Sequence, residues 1–236
     1  MQFHKVQIFG DSVMRGVILD DATKRYRFAP AVNFERFEDA FHFSIDNRSK
    51  FGCTVEKGYR LLRKALGCGQ PSDYALLEFG GNDCDFNWAE VAAEPDKPHL
   101  PHTPPDEFRK LLSTMVKDLK ASGIQPIIMS LPPIDAERYF NWITRDGLSR
   151  EKILAFLGDV QQIYRYQELY SNLATQTALQ TGCLFVDVRS AFLQVSRCFK
   201  DLLCEDGIHP SQQGQTLIYQ VFSDFAAQHF SRAARC

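Results

Sequence analysis

The sequence predicts an α/β protein, a three-layer α/β/α sandwich on a mostly parallel sheet of about five strands. Three observations predict this class. Short apolar runs bounded by turn residues recur along the chain, as expected of strands covered on both faces. Helical patterns fill the intervals, an alternation that yields parallel strands with right-handed crossovers. The length, 236 residues, suits one large domain over 1–236 better than two small ones.

Val6–Phe9 reads as the first strand and stops at Gly10; Phe41–Ile45 is the second. A helix is expected over Val55–Leu66, closing near Gly67 and Gly69. Tyr74–Phe79 is the third strand and Pro126–Leu131 the fourth. Between them Phe108, Leu111, Leu112, Met115, Val116 and Leu119 keep helical spacing, with Pro105 and Asp106 at the start and Gly123 at the end. A longer helical stretch is expected over Glu151–Thr181, broken near Gly158, before the fifth strand, Leu184–Val188. Ser211 reads as the cap of a last helix carrying Leu217, Ile218, Val221, Phe222 and Phe225. Two stretches break the rhythm: Asp85–Pro105, Pro-rich and holding Phe86, Trp88, His99 and His102, and Pro132–Arg150, holding Tyr139, Phe140 and Trp142. Neither shows an apolar stripe at helical spacing. Both follow carboxyl ends of strands, the edge at which open α/β sheets bind ligands, and connections of this length read as functional loops.

Lys and Arg number 27 against 29 Asp and Glu, a formal net charge of -2, and no basic block stands out. A general nucleic-acid binder is therefore not expected. No stretch approaches the roughly 18 apolar residues that cross a bilayer. The N-terminal MQFHKVQIFGDS lacks the basic segment, apolar run and cleavage site of a secretory leader. The seven cysteines are odd in number and form no CxxC pair, so reduced thiols in a cytoplasmic protein are expected rather than a disulfide framework or a structural zinc site.

Ser12 follows the first strand directly, in FGDSVMRG, where a hydroxyl beside glycine faces the ligand edge; the same residues also suit a turn. A nucleophilic serine needs a base, usually histidine. Of the six histidines, His209 alone lies between the last strand and the last helix, in CEDGIHPS, on the same sheet edge as Ser12. Asp206, just before it, is placed to hold the ring and stabilise the imidazolium; a polar turn with an exposed histidine is the alternative. Gly80-Gly81-Asn82-Asp83 follows the third strand, either as a β-turn or as a loop whose Asn82 amide donates to a developing oxyanion. Gly52, after the second strand, offers a backbone N–H as a further donor. The competing centre is a catalytic metal at His99-Leu100-Pro101-His102 with Asp83, Cys84, Asp85 and Asp96 nearby; Pro101 and the lack of a helical HExxH pattern argue against it.

Together, Gly10-Asp11-Ser12, Gly52, Gly80-Gly81-Asn82-Asp83 and Asp206-Gly207-Ile208-His209-Pro210 resemble, in order and spacing, the blocks of the SGNH hydrolase family, the GDSL-type esterases and lipases. The resemblance spans nearly the whole chain; Val13 stands where the family name has Leu, an apolar exchange. It implies a flavodoxin-like parallel sheet, Ser12 as nucleophile, His209 as general base and Asp206 as its orienting acid. It also implies an oxyanion hole of the Ser12 N–H, the Gly52 N–H and the Asn82 side chain, and no metal or cofactor. Asp11, Asp83, Phe86 and Trp88 are the expected substrate-binding positions.

The expected reaction is hydrolysis of carboxylic esters through an acyl-enzyme. Short acyl esters such as acetylated carbohydrates are the expected substrates, because the two long loops narrow the mouth of the site. The alternatives are a lipase or acyl-thioesterase for longer chains, or a non-catalytic ligand-binding protein on the same fold. A phosphate or flavin binder is disfavoured, since GDSVMRG lacks the glycine density of a dinucleotide or Walker loop. The expected partner is a small-molecule ester, with neither nucleic acid nor membrane; a homo-oligomer stays open.

Overall fold

The five apolar runs pair side by side in a computed structural model, which describes residues 4–20, 22–29, 38, 41–69 and 72–230. Its strands are β1 (His4–Phe9), β2 (Val17–Leu19), β3 (Tyr26–Phe28), β4 (Phe43–Asn47), β5 (Tyr74–Leu77), β6 (Gln125–Met129) and β7 (Leu184–Val186). Five of them form one parallel sheet in the order β4-β1-β5-β6-β7, while β2 and β3 make a separate antiparallel hairpin. Counted along the chain, the sheet order is 2-1-3-4-5, the flavodoxin-like arrangement, and its switch point lies beside β1.

The helices are α1 (Val55–Gly67), α2 (Trp88–Ala93), α3 (Pro105–Ala121), α4 (Ala136–Thr144), α5 (Arg150–Leu157), α6 (Gln161–Thr181), α7 (Val188–Leu193) and α8 (Gln212–His229), with a 3-10 turn at Phe199–Leu202. Successive strand residues point to opposite layers. Phe9, Leu77 and Ile128 accordingly join Leu62 of α1, Leu112 and Met115 of α3 and Tyr170 of α6 in one core. Ile8, Leu76 and Ile127 join Val188 and Phe192 of α7 and Ile218 of α8 in the other. In α3, Phe108, Leu112, Met115, Val116 and Leu119 are buried on one face. Each contributes about 1.5–3 kcal/mol by burial, so packing rather than propensity holds the helix.

A third apolar cluster lies outside the two layers. Trp88 and Val91 of α2, Tyr139 and Phe140 of α4, Ile153 and Leu157 of α5 and Ile163 of α6 pack together. This corrects the expectation of two irregular loops, since α2 lies within 85–105 and α4 within 132–150. Asn87 accepts the Glu90 N–H and Asp135 accepts the Arg138 N–H, so side-chain caps start both helices. At six and nine residues they are too short to announce themselves by periodicity, and tertiary packing stabilises them.

The other differences are local. The second strand runs Phe43–Asn47 rather than Phe41–Ile45, because its register is set by β1, from His4 opposite Phe43 to Ile8 opposite Asn47. The fifth stops at Val186, where Asp187 turns to accept the Ser190 N–H and cap α7. The break expected near Gly158 is present: the stretch is two helices, and Gly158 has φ 72°. The six described cysteines are free, and Cys236 lies outside the described residues. Among the described residues no helix is long and apolar enough to cross a membrane.

Candidate active site

Ser12 stands two residues past Gly10 in the turn that leaves β1 at the switch point. The turn is tied by Arg15 N–H to Asp11 O at 3.1 Å, Val17 N–H to Ser12 O at 2.9 Å and Val13 N–H to Asp11 Oδ1 at 2.8 Å. The side-chain bond from Asp11 is the local reason the chain turns here rather than continuing the strand. On the far side of the sheet edge, Cys204 N–H to His209 O at 2.8 Å and Gly207 N–H to Cys204 O at 3.0 Å close the CEDGIHP loop. Asp135 N–H donates to Gly207 O at 2.8 Å and fastens that loop to the start of α4.

These two turns bring Ser12 and His209 together across 197 positions of sequence, with Ser12 Oγ 2.9 Å from His209 Nε2. His209 Nδ1 lies 2.7 Å from Asp206 Oδ2. Asp206 Oδ1 accepts the backbone N–H of both Ile208 and His209 at 3.1 Å. Burial pushes Asp206 up, but its bonds with His209 and the two N–H groups outweigh this and hold its carboxyl below the usual range. An ionised Asp206 can only accept, so Nδ1 carries the proton and Nε2 is left to accept from the Ser12 hydroxyl. All three groups are buried. The rings of Tyr26, on β3, and Phe51 lie 4.8 Å and 5.8 Å from the His209 ring, Phe51 stacked on it.

The hydroxyl opens on a cavity of about 180 Å³. Phe86, Trp88, Ile134 and Tyr139 from the third cluster line it, with Leu131 and Ile163 beneath. The tyrosine hydroxyl and the indole N–H both donate to Asp85, at 2.7 Å and 2.8 Å, which fixes the two aromatic walls to each other. Asn82 lines the cavity too, but its amide is already engaged: Nδ2 donates to Asp11 Oδ2 at 2.9 Å, with Cys53 O at 3.5 Å. The backbone N–H groups of Ser12 and Gly52 are uncommitted among the described residues. Burial pushes the Cys53 thiol up to about 11 and Cys84 well above its ordinary value, so neither cysteine competes as a nucleophile.

The expected site residues divide accordingly. Ser12, Asn82, His209, Asp11, Phe86 and Trp88 line the cavity, and Asp206 stands directly behind His209. Gly52 is not among the lining residues, although Phe51 is. Asp83 does not line the cavity either: it is fully buried, accepting the Val55 N–H at 2.9 Å and the Thr103 hydroxyl at 2.6 Å, which ties the start of α1 to the chain before α3. His99 Nε2 and His102 Nδ1 pair with the carbonyls of Glu94 and Asn82, each at 2.9 Å. Among the described residues no group of three His, Cys, Asp or Glu side chains is arranged to hold a metal. Sequence reasoning missed Glu78, Tyr26 and Phe51, and placed Asp85 only beside the competing metal centre, whereas it accepts from Trp88 and Tyr139. For Glu78 a signal existed, a lone carboxylate inside the apolar run YALLEF.

A buried serine, histidine and aspartate at the carboxyl edge of a 2-1-3-4-5 parallel sheet define a carboxylic ester hydrolase, with the triad and oxyanion hole that such enzymes share. The chain belongs to the GDSL-like lipase/acylhydrolase family, whose model matches residues 8–217. Among curated protein sequences none matches. Solved structures similar to it include a lipase/acylhydrolase from Enterococcus faecalis, at 21% identity over 96% of this chain and 97% of that one, with a TM-score of 0.64. A catalytic mutant of Axe2, an acetylxylan esterase from Geobacillus stearothermophilus, is 20% identical over 94% of both chains, with a TM-score of 0.63. TesA is 19% identical over 93% of this chain and 96% of that one, with a TM-score of 0.56. At these identities the likeness is one of fold.

Proposed function

We propose that the protein hydrolyses short acyl esters of polar alcohols, with acetylated carbohydrates as the substrate class. The observation that carries the reading is the unbroken line from Ser12 Oγ through the His209 ring to Asp206, ending in a small, walled cavity. Ser12 Oγ attacks the acyl carbon while its proton passes to His209 Nε2. The carbonyl oxygen becomes an oxyanion held by the Ser12 N–H and by the Asn82 amide N–H that Asp11 does not take. As the tetrahedral intermediate collapses, the C–O bond to the alcohol breaks and His209 returns the proton to the leaving oxygen. Water then repeats the sequence on the acyl-Ser12 ester and releases the acid.

Two features support the substrate class. Pockets for drug-sized ligands run to roughly 300–1,000 Å³, so about 180 Å³ suits an acetyl to butyryl group. At the rim of the cavity, Tyr26 stands 6.4 Å from Trp142, whose ring carries the Arg145 guanidinium, and Lys24 and Asn141 border the same surface, a polar and aromatic rim suited to a hydroxylated alcohol. The test is a panel of p-nitrophenyl esters from acetate to octanoate, set beside acetylated sugars and acyl thioesters. The expected result is kcat/KM highest at acetate or butyrate, activity on acetylated sugars, and fluorophosphonate labelling confined to Ser12. A kcat/KM that climbs to octanoate overturns the short-acyl reading in favour of a lipase, and labelling at another serine overturns the nucleophile.

A further inference from the structure

Beside the nucleophile lies a carboxyl pair that the reaction above leaves unused. Glu78 follows β5 directly, is fully buried and borders the catalytic cavity. Its Oε2 accepts the Asp11 N–H at 3.1 Å, while Oε1 is buried with no donor reaching it. Asp11, whose N–H Glu78 accepts, brings a second buried carboxyl group to the same cavity, and two buried carboxylates side by side repel, so the pair favours holding one proton. Glu78 also packs tightly against the turn that carries Asp11, since a Cβ on Gly10 would stand 2.9 Å from Glu78 Oε2. Asp11 uses its own oxygens elsewhere: Oδ1 accepts from Val13 N–H at 2.8 Å and Oδ2 from Asn82 Nδ2 at 2.9 Å.

We propose that Glu78 is a positioning residue that carries the pair's proton, keeping Asp11 a pure acceptor and thereby presenting the Asn82 amide to the oxyanion by its N–H side. The proposal rests on the reading of Ser12, His209 and Asn82 given under Proposed function. An amide turned end for end has nearly the same shape, so sterics alone do not select its orientation. What faces it selects. An ionised Asp11 demands a donor and holds Nδ2. A protonated Asp11 could itself donate, and Asn82 could then turn its carbonyl oxygen to Asp11, reversing the dipole that an oxyanion meets.

The local chemistry places the proton on Glu78. Asp11 has Val13 N–H and Asn82 as donors and His209 as a cationic neighbour when that ring is protonated, whereas Glu78 has one backbone N–H. Among the described residues Asp83, Cys53 and Cys84 are the other titratable groups facing the pair, and the Asp83 charge further disfavours ionising Glu78. Burial first, then the Asp11 charge, push the Glu78 carboxyl well above its usual range.

Glu78→Gln and Glu78→Met separate the roles. Gln is neutral like the acid and can donate to Asp11 while accepting its N–H; Met fills the space and does neither. On an acetyl ester, Glu78→Gln is expected to keep kcat within about threefold. Glu78→Met should lose at least about tenfold in kcat with KM little changed, on the way to the roughly 100-fold that loss of an oxyanion donor costs. In wild type, ionising Glu78 at alkaline pH places two carboxylates together and activity falls; Glu78→Gln should lack that alkaline limb. The proposal is overturned if Gln is as damaged as Met, if Met keeps wild-type kcat, or if wild type and Glu78→Gln share the same alkaline limb. Should circular dichroism show Glu78→Met unfolded, the comparison of alkaline limbs decides alone. Ser12→Ala, run in parallel, keeps the two readings apart. Activity surviving in Ser12→Ala overturns the site reading and this proposal with it. A dead Ser12→Ala beside Glu78 variants that match wild type overturns the Glu78 proposal only.

Discussion

Replacing Asp206 by Asn changes one atom's chemistry and nothing of its size. Asp206 Oδ1 accepts two backbone N–H groups, those of Ile208 and His209. An Asn must keep its oxygen there, because turning it would aim an NH2 group at two donors in a buried loop. The amide nitrogen therefore faces His209 Nδ1, 2.7 Å from where Oδ2 now stands. It donates, so Nδ1 must accept and the ring proton moves to Nε2. That nitrogen is the one 2.9 Å from Ser12 Oγ, and with a proton on it it cannot take the serine's. The wrong tautomer in a serine triad costs roughly 10⁴-fold in kcat, about 5 kcal/mol of barrier. The assay is initial rates on p-nitrophenyl acetate, with the rate of fluorophosphonate labelling as a readout of Ser12 nucleophilicity alone. Asp206→Ala is the informative partner. It strands the two N–H groups and should unfold at lower denaturant, yet it leaves the ring free to adopt either tautomer, so its kcat should exceed that of Asp206→Asn. A folded Asp206→Asn that loses less than about tenfold refutes the tautomer argument, as does an Ala variant slower than the Asn variant.

Asn82→Ala should lower kcat by roughly 100- to 1000-fold with a smaller change in KM, because the lost donor serves the transition state more than the ground state; a rise in KM with kcat intact would make Asn82 a binding residue only. Burial pushes Asp83 up to about 6, so between its ordinary value and that point the folded state holds more protons than the unfolded chain. Its share of stability is therefore present below that window and falls as pH rises through it, by about 3 kcal/mol. In Asp83→Asn, unfolding free energy relative to wild type should accordingly climb between about pH 4 and 6, and a difference flat with pH counts against it. Gly207 has φ 76°, and a Cβ there would sit 2.5 Å from Asp135 O. Gly207→Ala should cost more than about 3 kcal/mol in denaturant unfolding and lower kcat, whereas Gly147→Ala, at φ 97° with nothing within 4 Å, should cost only about 1–2 kcal/mol.

The fold was legible wherever burial imposed a pattern. Continuous apolar strands such as Leu76-Leu77 and Ile127-Ile128 carry their two-sided burial in their composition, and α3 carries a stripe long enough to count. Short elements were not legible, for a physical reason. The β2–β3 hairpin pairs only three residues on each side, and β3 is exposed throughout, so no alternation marks it. The helices α2 and α4 take their stability from a cluster assembled out of four segments, which no window of sequence contains.

The site divides along the same line. Asp206 and His209 interact within one turn, at a spacing of three, and the chemistry of such a loop is readable in place. Ser12 and His209 are 197 positions apart, and Asn82 and Asp11 are 71 apart; strand order alone joins them, so only the family-like blocks made them legible beforehand. Glu78 lacked even that. It stood in plain view in YALLEF, but a carboxylate in a strand becomes meaningful only once its neighbour is known, and Asp11 lies 67 positions away. Asp83 failed in the opposite sense. Its place beside Asn82 made it look like part of the site, yet its carboxylate turns inward to Val55 and Thr103 and holds the scaffold on which Asn82 rides. Adjacent residues in a turn face different ways, so a motif identifies the turn but not which of its side chains meets the substrate. Around this serine, then, the carboxylates sort by what donates to each: Asp206 by the ring of His209, Asp11 by the Asn82 amide, Asp83 by a helix end, and Glu78, with a single N–H, by holding a proton.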